Sequence, residues 1–125
     1  MAERVYAFDV DHTLEVSGGP VSLGQLLTLW AQGNIVGLCG NWAAVTASWT
    51  LWPTVCSFIG PMGISKVEFL KQIQMYVPVG EYILVGNDPL DFVVENRALI
   101  SNDVAAAAEA GWRFIPERQF ALGVR

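Results

Sequence analysis

Charge is missing from the middle of this chain. Between Glu15 and Lys66 there is no Asp, Glu, Lys, Arg or His. Charged residues make up only 15% of the whole. Long apolar runs are missing too. Gly, Pro, Gln, Asn, Ser and Thr interrupt the uncharged stretch well short of the roughly 18 to 20 continuous apolar residues that a membrane span needs. The expectation is therefore a soluble domain, no membrane, with an apolar surface offered to a partner subunit or a substrate. Basic residues are few, 7 Lys and Arg against 12 Asp and Glu, a formal net charge of -5. That balance disfavours nucleic-acid binding by phosphate neutralisation, without excluding a local basic site. Cys39 and Cys56 are too few for a disulfide scaffold and read as thiols in a reducing compartment. Glu3 and Arg4 precede a short apolar strand, not the long apolar stretch of a signal peptide, so the expected location is cytoplasmic.

What is present begins at once. The apolar run Val5-Tyr6-Ala7-Phe8 leads straight into Asp9-Val10-Asp11-His12-Thr13-Leu14. Side chains alternate along a strand, so Asp9 and Asp11, spaced i, i+2, can point the same way. Burying carboxylates at a strand end is costly unless donors or a cation compensate. A hard divalent cation, which prefers oxygen ligands, answers that need.

At 125 residues the chain can bury a core as one domain. Residues 4 to 9 read as a buried strand, and Gly18-Gly19-Pro20 as a turn. Ser22 caps a helix with an expected apolar stripe at Leu23, Leu26, Leu27 and Trp30, ended by Gly33. Ile35 to Leu38 is a second strand. Asn41 then starts a helix with Trp42, Val45, Trp49 and Trp52 on one face, closed by Pro53. Val55 to Ile59 is a third strand. Ser65 and Glu68 form a capping-box pattern for a helix to about Tyr76. Tyr82 to Val85 is a strand, Phe92 to Leu99 a helix or irregular insert, and Asn102 to Ala110 a helix ended by Gly111. Trp112 to Ile115 is the last strand, followed by Pro116 and a short tail. Strands alternating with helices give an α/β fold around a mostly parallel sheet covered on both faces. Sites in such sheets lie beyond the carboxyl ends of the strands. Here those ends bring together Asp9 to Thr13, Cys39 to Asn41, and Gly86 to Asp91.

Phosphoryl transfer needs a nucleophile, an acid/base, a cation and groups that stabilise charge on the transferred phosphoryl. Asp9 can be the nucleophile, forming an aspartyl-phosphate, and Asp11 the acid that protonates the leaving oxygen and then activates water. Lys66 opens a helix. A cation there opposes the helix dipole by roughly a few tenths of a kcal/mol, which a bound phosphate would offset. Lys71, further along, is the poorer candidate. The main-chain N–H groups of Gly40 and Asn41 could hold an anion at a helix start.

Asp9-Val-Asp11-His-Thr13-Leu14 resembles the DxDxT first motif of the haloacid dehalogenase-like (HAD) phosphohydrolases. Lys66 stands where that family has its third-motif lysine, and Tyr82 to Asp91 resembles the fourth motif, a strand ending in Gly-Asp. Two positions depart. Cys39 occupies the place of the second-motif Thr or Ser, and Asn87 that of the fourth-motif Asp, so either Asn87 or Asp88 would complete a metal site with Asp9 and Asp11. The resemblance implies a Rossmann-like three-layer sandwich over residues 1 to 125 with no large cap domain. It implies a magnesium-dependent phosphatase with Asp9, Asp11 and Lys66 as catalytic residues, and with Cys39, Gly40, Asn41 and Lys66 around the phosphate. Asp103 could reach the metal's surroundings, or simply favour a helix N-terminus. The open site could close by homo-oligomerisation through the uncharged Trp-rich segment, although core packing accounts for Val45 and Trp49. The departures at positions 39 and 87 motivate a second reading, a non-catalytic HAD-like binding or assembly protein. A phospho-receiver domain is disfavoured because no Asp stands near Ile59. Cys39 as a thiolate nucleophile is disfavoured too, since His12 lies on another loop, and Cys39 can equally be read as a small apolar residue buried in the core.

Overall fold

A computed structural model describes residues 4–87 and 103–125. Its frame is a five-stranded sheet in the order β3-β2-β1-β4-β5, parallel throughout. The strands are β1 (Arg4–Phe8), β2 (Ile35–Cys39), β3 (Cys56–Gly60), β4 (Glu81–Gly86) and β5 (Arg113–Pro116). The helices are α1 (Leu23–Ala31), α2 (Trp42–Thr46), α3 (Trp52–Val55), α4 (Lys66–Tyr76), α5 (Asp103–Ala110) and α6 (Glu117–Ala121). The result is the expected α/β three-layer sandwich, and residues 10–34 and 42–65 form no large cap. Asp88 and the segment expected at 92–99 lie outside the described residues.

The central strand β1 pairs with β2 on one side and β4 on the other, with Phe8 opposite Leu38 and Val85. Its alternation divides the core. Tyr6 and Phe8 join Leu26, Leu29, Val45, Val55 and Phe120, under α1, α2, α3 and α6. Val5 and Ala7 join Leu70, Ile73, Ala107 and Ala110, under α4 and α5. A period of two along the strand therefore assigns odd positions to the α4/α5 layer. Asp9 is the next odd position.

Three expectations change. In α1, Ser22 caps as read, with the full reciprocal box to Gln25. Its buried positions, however, are Leu26 and Leu29, while Leu27 and Trp30 are exposed. Leucines at 23, 26, 27 and 29 leave the stripe ambiguous, and docking against β2 decides it. The single helix expected from Trp42 to Trp52 is two short ones, and Pro53 sits in the first turn of α3 instead of closing the segment. Proline suits that place because its missing N–H would have no helical partner there. The tail after β5 folds into α6, because Phe120 is fully buried with its ring edge-on to Phe8 at 5.1 Å. The tryptophans Trp42, Trp49 and Trp52 are half-buried against the same core. Among the described residues, no helix is long and apolar enough to cross a membrane.

A candidate site at the carboxyl end of the sheet

The chain fills one half of the sheet with β1, β2 and β3, then returns to add β4 and β5 on the other side of β1. The direction of winding therefore reverses between β1 and β4, the place where parallel sheets open a crevice. Asp9 and Asn87 stand there, each one residue past the end of its strand.

The Asp9 N–H donates to the Val85 carbonyl at 2.9 Å, which prolongs the ladder and fixes the residue in strand geometry. Its side chain turns toward the α4/α5 layer and is buried. There Lys66, the first residue of α4, donates from Nζ to Asp9 Oδ1 and to Asp103 Oδ1, at 2.9 Å each. Ser65 starts that helix by accepting the Glu68 N–H, which sets the lysine at the mouth of the sheet. Asp103, the first residue of α5, is fully buried, and its Oδ2 accepts the main-chain N–H of Asn87 at 3.0 Å.

Past Asp9 the chain folds over on itself. Thr13 and Leu14 both donate their N–H groups to the Val10 carbonyl, and His12 takes the left-handed conformation with φ 60°. The turn presents the Asp11 main-chain carbonyl to Asn87. Asn87 Nδ2 donates to Asp9 Oδ2 at 2.7 Å and to that carbonyl at 3.1 Å. The buried Thr13 hydroxyl lies 3.5 Å from both Asp9 Oδ2 and Asn87 Oδ1. Asp11 points outward, and its Oδ1 accepts from Asn41 Nδ2 at 3.3 Å.

Two glycines make this crowding feasible. A Cβ on Gly40 would lie 2.5 Å from Asp9 Oδ1, and one on Gly86 would lie 2.5 Å from Asp103 Oδ2. No side chain fits either place without moving a carboxylate.

One ammonium serves two buried carboxylates, so it cannot fully compensate both. Burial, followed by the charge of Asp103, pushes Asp9 up to about 7 against the pull of Lys66. For Lys66 burial works against the charge, but Asp9 and Asp103 outweigh it and hold the ammonium above its ordinary value. No family model, curated protein or solved structure matches this chain.

The structure brings Asp9, Asp11, Lys66 and Asn87 together, with Asn41 at the rim. Cys39 and Gly40 do not serve as expected. Cys39 is the last residue of β2, opposite Gly60 of β3, and is wholly buried in the apolar layer, where burial pushes its thiol up to about 12. A sealed, protonated thiol is a poor phosphate ligand. The Gly40 N–H donates to the Gly60 carbonyl at 2.8 Å as a continuation of the sheet ladder, so it is not free for an anion. Gly40 contributes by being small. Asn41 does not cap α2 with its side chain; it holds Asp11 instead. The charge that Lys66 meets comes from Asp9 and Asp103.

Asp103, weighed from sequence without a fixed role, turns out to tie Lys66 to Asn87. Glu117 was missed. It follows β5, whose Pro116 pairs with Gly86, and so stands in the row beyond the strand ends. It is only 3% exposed, and among the described residues its Oε2 has no hydrogen-bond partner. An acid directly after the last strand was the available signal.

Among the described residues, no three His, Cys, Asp or Glu side chains form a metal cluster. The oxygens that converge are Asp9 Oδ2 and the Asp11 carbonyl, both aimed at the Asn87 amide. Two hard oxygens suit magnesium, and Asn87 can add a third through Oδ1 once its amide is turned. With the amide as it stands, the Asn87 NH2 group occupies the place between those oxygens, and only the turned amide would present a donor set of the kind a divalent cation takes.

Proposed function

We propose that this protein is a magnesium-dependent phosphatase of the HAD-like type, hydrolysing phosphomonoesters through an aspartyl-phosphate on Asp9. The observation that carries the reading is the placement of Asp9. It is a carboxylate at the end of the central strand, fixed by Lys66 and Asn87, with a second carboxylate two residues on facing solvent.

In this reading the Asp9 carboxylate attacks phosphorus, and the bond to the ester oxygen breaks. Asp11 gives its proton to that leaving oxygen. The same group, now a carboxylate, takes a proton from water, which attacks the acyl phosphate, releases inorganic phosphate and restores Asp9. Asn41 keeps the Asp11 side chain over the mouth of the site. The Lys66 ammonium gathers charge on the transferred oxygens, and Asp103 holds Lys66 in place. Asp9, the Asp11 carbonyl and Asn87 would hold magnesium, which when bound screens the repulsion between carboxylate and phosphate. The rim carries no cap from the described residues, which favours a phosphorylated substrate larger than the site itself.

The test is hydrolysis of an aryl phosphate with magnesium by the native chain and by Asp9→Asn. We expect turnover that Asp9→Asn abolishes while the fold is kept. Equal rates in the two chains would sink the mechanism.

A second reading has its own support. The Asn87 amide already satisfies the two oxygens that a cation would take, and Cys39 is sealed away. On that reading the chain is a HAD-like binding or assembly protein. Failure of the folded native chain to bind beryllofluoride with magnesium in calorimetry would favour it.

A further inference from the structure

We propose that the Asn87 side chain is the gate of the cation site: its NH2 group holds the cation's place at rest, and a divalent cation enters only as the amide turns over. The proposal rests on the phosphatase reading for where the ion goes, but not for any turnover.

The resting state is specified by chemistry. Asn87 Nδ2 lies 2.7 Å from Asp9 Oδ2 and 3.1 Å from the Asp11 carbonyl oxygen. A carbonyl only accepts, and an ionised carboxylate only accepts, so the amide must present its two N–H donors to them. Turned over, the amide would set Oδ1 against two oxygens at hydrogen-bond distance. That arrangement is repulsive unless a cation lies between them.

The surroundings allow both states. The main chain of Asn87 is held by Asp103 Oδ2 through its N–H, independently of the side chain. Rotation about the terminal amide torsion is soft and roughly two-fold. The partner on the other side is the Thr13 hydroxyl, 3.5 Å from Oδ1. A hydroxyl both donates and accepts, so it can face Oδ1 in one state and Nδ2 in the other. Thr13 also lies 3.5 Å from Asp9 Oδ2, within reach of the carboxylate that shares the ion. Among the described residues, the hydrogen bond that holds the Asn87 main chain is untouched by the turn.

The consequence is a weak, conditional cation site. Asn87 lends a neutral oxygen, and the ion must break two hydrogen bonds before it binds. An aspartate at 87 would have neither handicap, because it has no N–H to occupy the site and adds a negative charge.

The experiment is magnesium titration of the folded protein at pH 8. Calorimetry would follow the native chain and Asn87→Asp, and side-chain amide NMR would follow Asn87 in the native chain. We expect Asn87→Asp to bind magnesium roughly tenfold or more tightly. We expect the native Asn87 NH2 resonances to shift and to exchange faster with water as the ion binds. The NMR arm needs no variant, so it decides even if Asn87→Asp folds poorly. Native binding that leaves the Asn87 amide resonances unmoved overturns the proposal. So does equal affinity of the two chains, or no magnesium binding by either folded chain. Turnover enters none of these outcomes, so an amide that turns in a chain without phosphatase activity would sink the phosphatase reading alone.

Discussion

Replacing Glu117 by glutamine should stabilise this protein at high pH and do nothing at low pH. Glu117 is 3% exposed, with one carboxyl oxygen unpartnered among the described residues. Burial, reinforced by the charges of Asp9 and Asp103, pushes it from 4.5 up to about 7, while the N–H of its own backbone and Arg118 pull it down. Between those two values the folded chain keeps a proton that the unfolded chain has released. Stability tied to this group is therefore complete below about pH 4.5 and lost as pH rises through about 7. A shift of that size corresponds to about 3 kcal/mol. Glutamine has nearly the same shape, keeps an oxygen for the backbone N–H, and never ionises. Urea unfolding of both chains at pH 4, 5.5, 7 and 8.5 measures the difference. The two chains should match at pH 4 and separate progressively until the variant leads by about 3 kcal/mol at pH 8.5. Asp9 shifts in the same direction, but it is present in both chains and its effect cancels to first order. A difference that is constant with pH, or one that shrinks as pH rises, would refute the reasoning.

Lys66→Met leaves Asp9 and Asp103 without their shared cation. It should cost about 3 to 5 kcal/mol at pH 8, and less at pH 5 where Asp9 holds a proton, as read by urea unfolding at both values. Gly86→Ala forces a methyl group onto Asp103 Oδ2 and should cost about 1 to 3 kcal/mol by thermal melting. If Asp103 positions Lys66 and Asn87 as described, the same variant should lower aryl-phosphate turnover more than it raises KM.

The frame was legible because strand and helix signals agree. Val5 to Phe8, Ile35 to Leu38 and Tyr82 to Val85 are short apolar runs bounded by turns, and each is a strand within a residue or two. The caps at Ser22 and Ser65 were legible because their side chains bond locally, and local bonds do not depend on the rest of the fold. The face of α1 was not, because leucine on three sides lets tertiary packing choose. Nor was α6, since nothing in Glu117 to Ala121 itself demands a helix; Phe120 forms one because Phe8 and Tyr6 offer a socket. In the candidate site, the convergence of Asp9, Asp11, Lys66 and Asn87 was legible, because strand ends and helix starts meet whatever the side-chain detail. Cys39 could be read either as a phosphate neighbour or as a small buried apolar residue, and the structure buries it, while the Gly40 N–H goes to Gly60. Position along the sequence tells which strand end a residue occupies, but not whether its polar atoms are already committed to the sheet.

The charge balance explains why the neutral Asn87 sits where it does. Among the described residues, Asp9 and Asp103 share one ammonium, Lys66, with Asp11 at the rim, so the site is formally negative before a phosphate approaches. A fourth carboxylate at position 87 would stand beside Asp9 Oδ2 with nothing to separate them, and the folded chain would depend on a cation to close that end of the sheet. The Asn87 amide removes the dependence. Its two N–H groups give Asp9 and the Asp11 carbonyl the donors that a cation would otherwise replace, and the main chain at 87 gives Asp103 a third. Stability at rest and cation affinity thus oppose each other at one side chain. The first is gained from the N–H side of the amide and the second from its oxygen, so no single orientation of Asn87 can supply both.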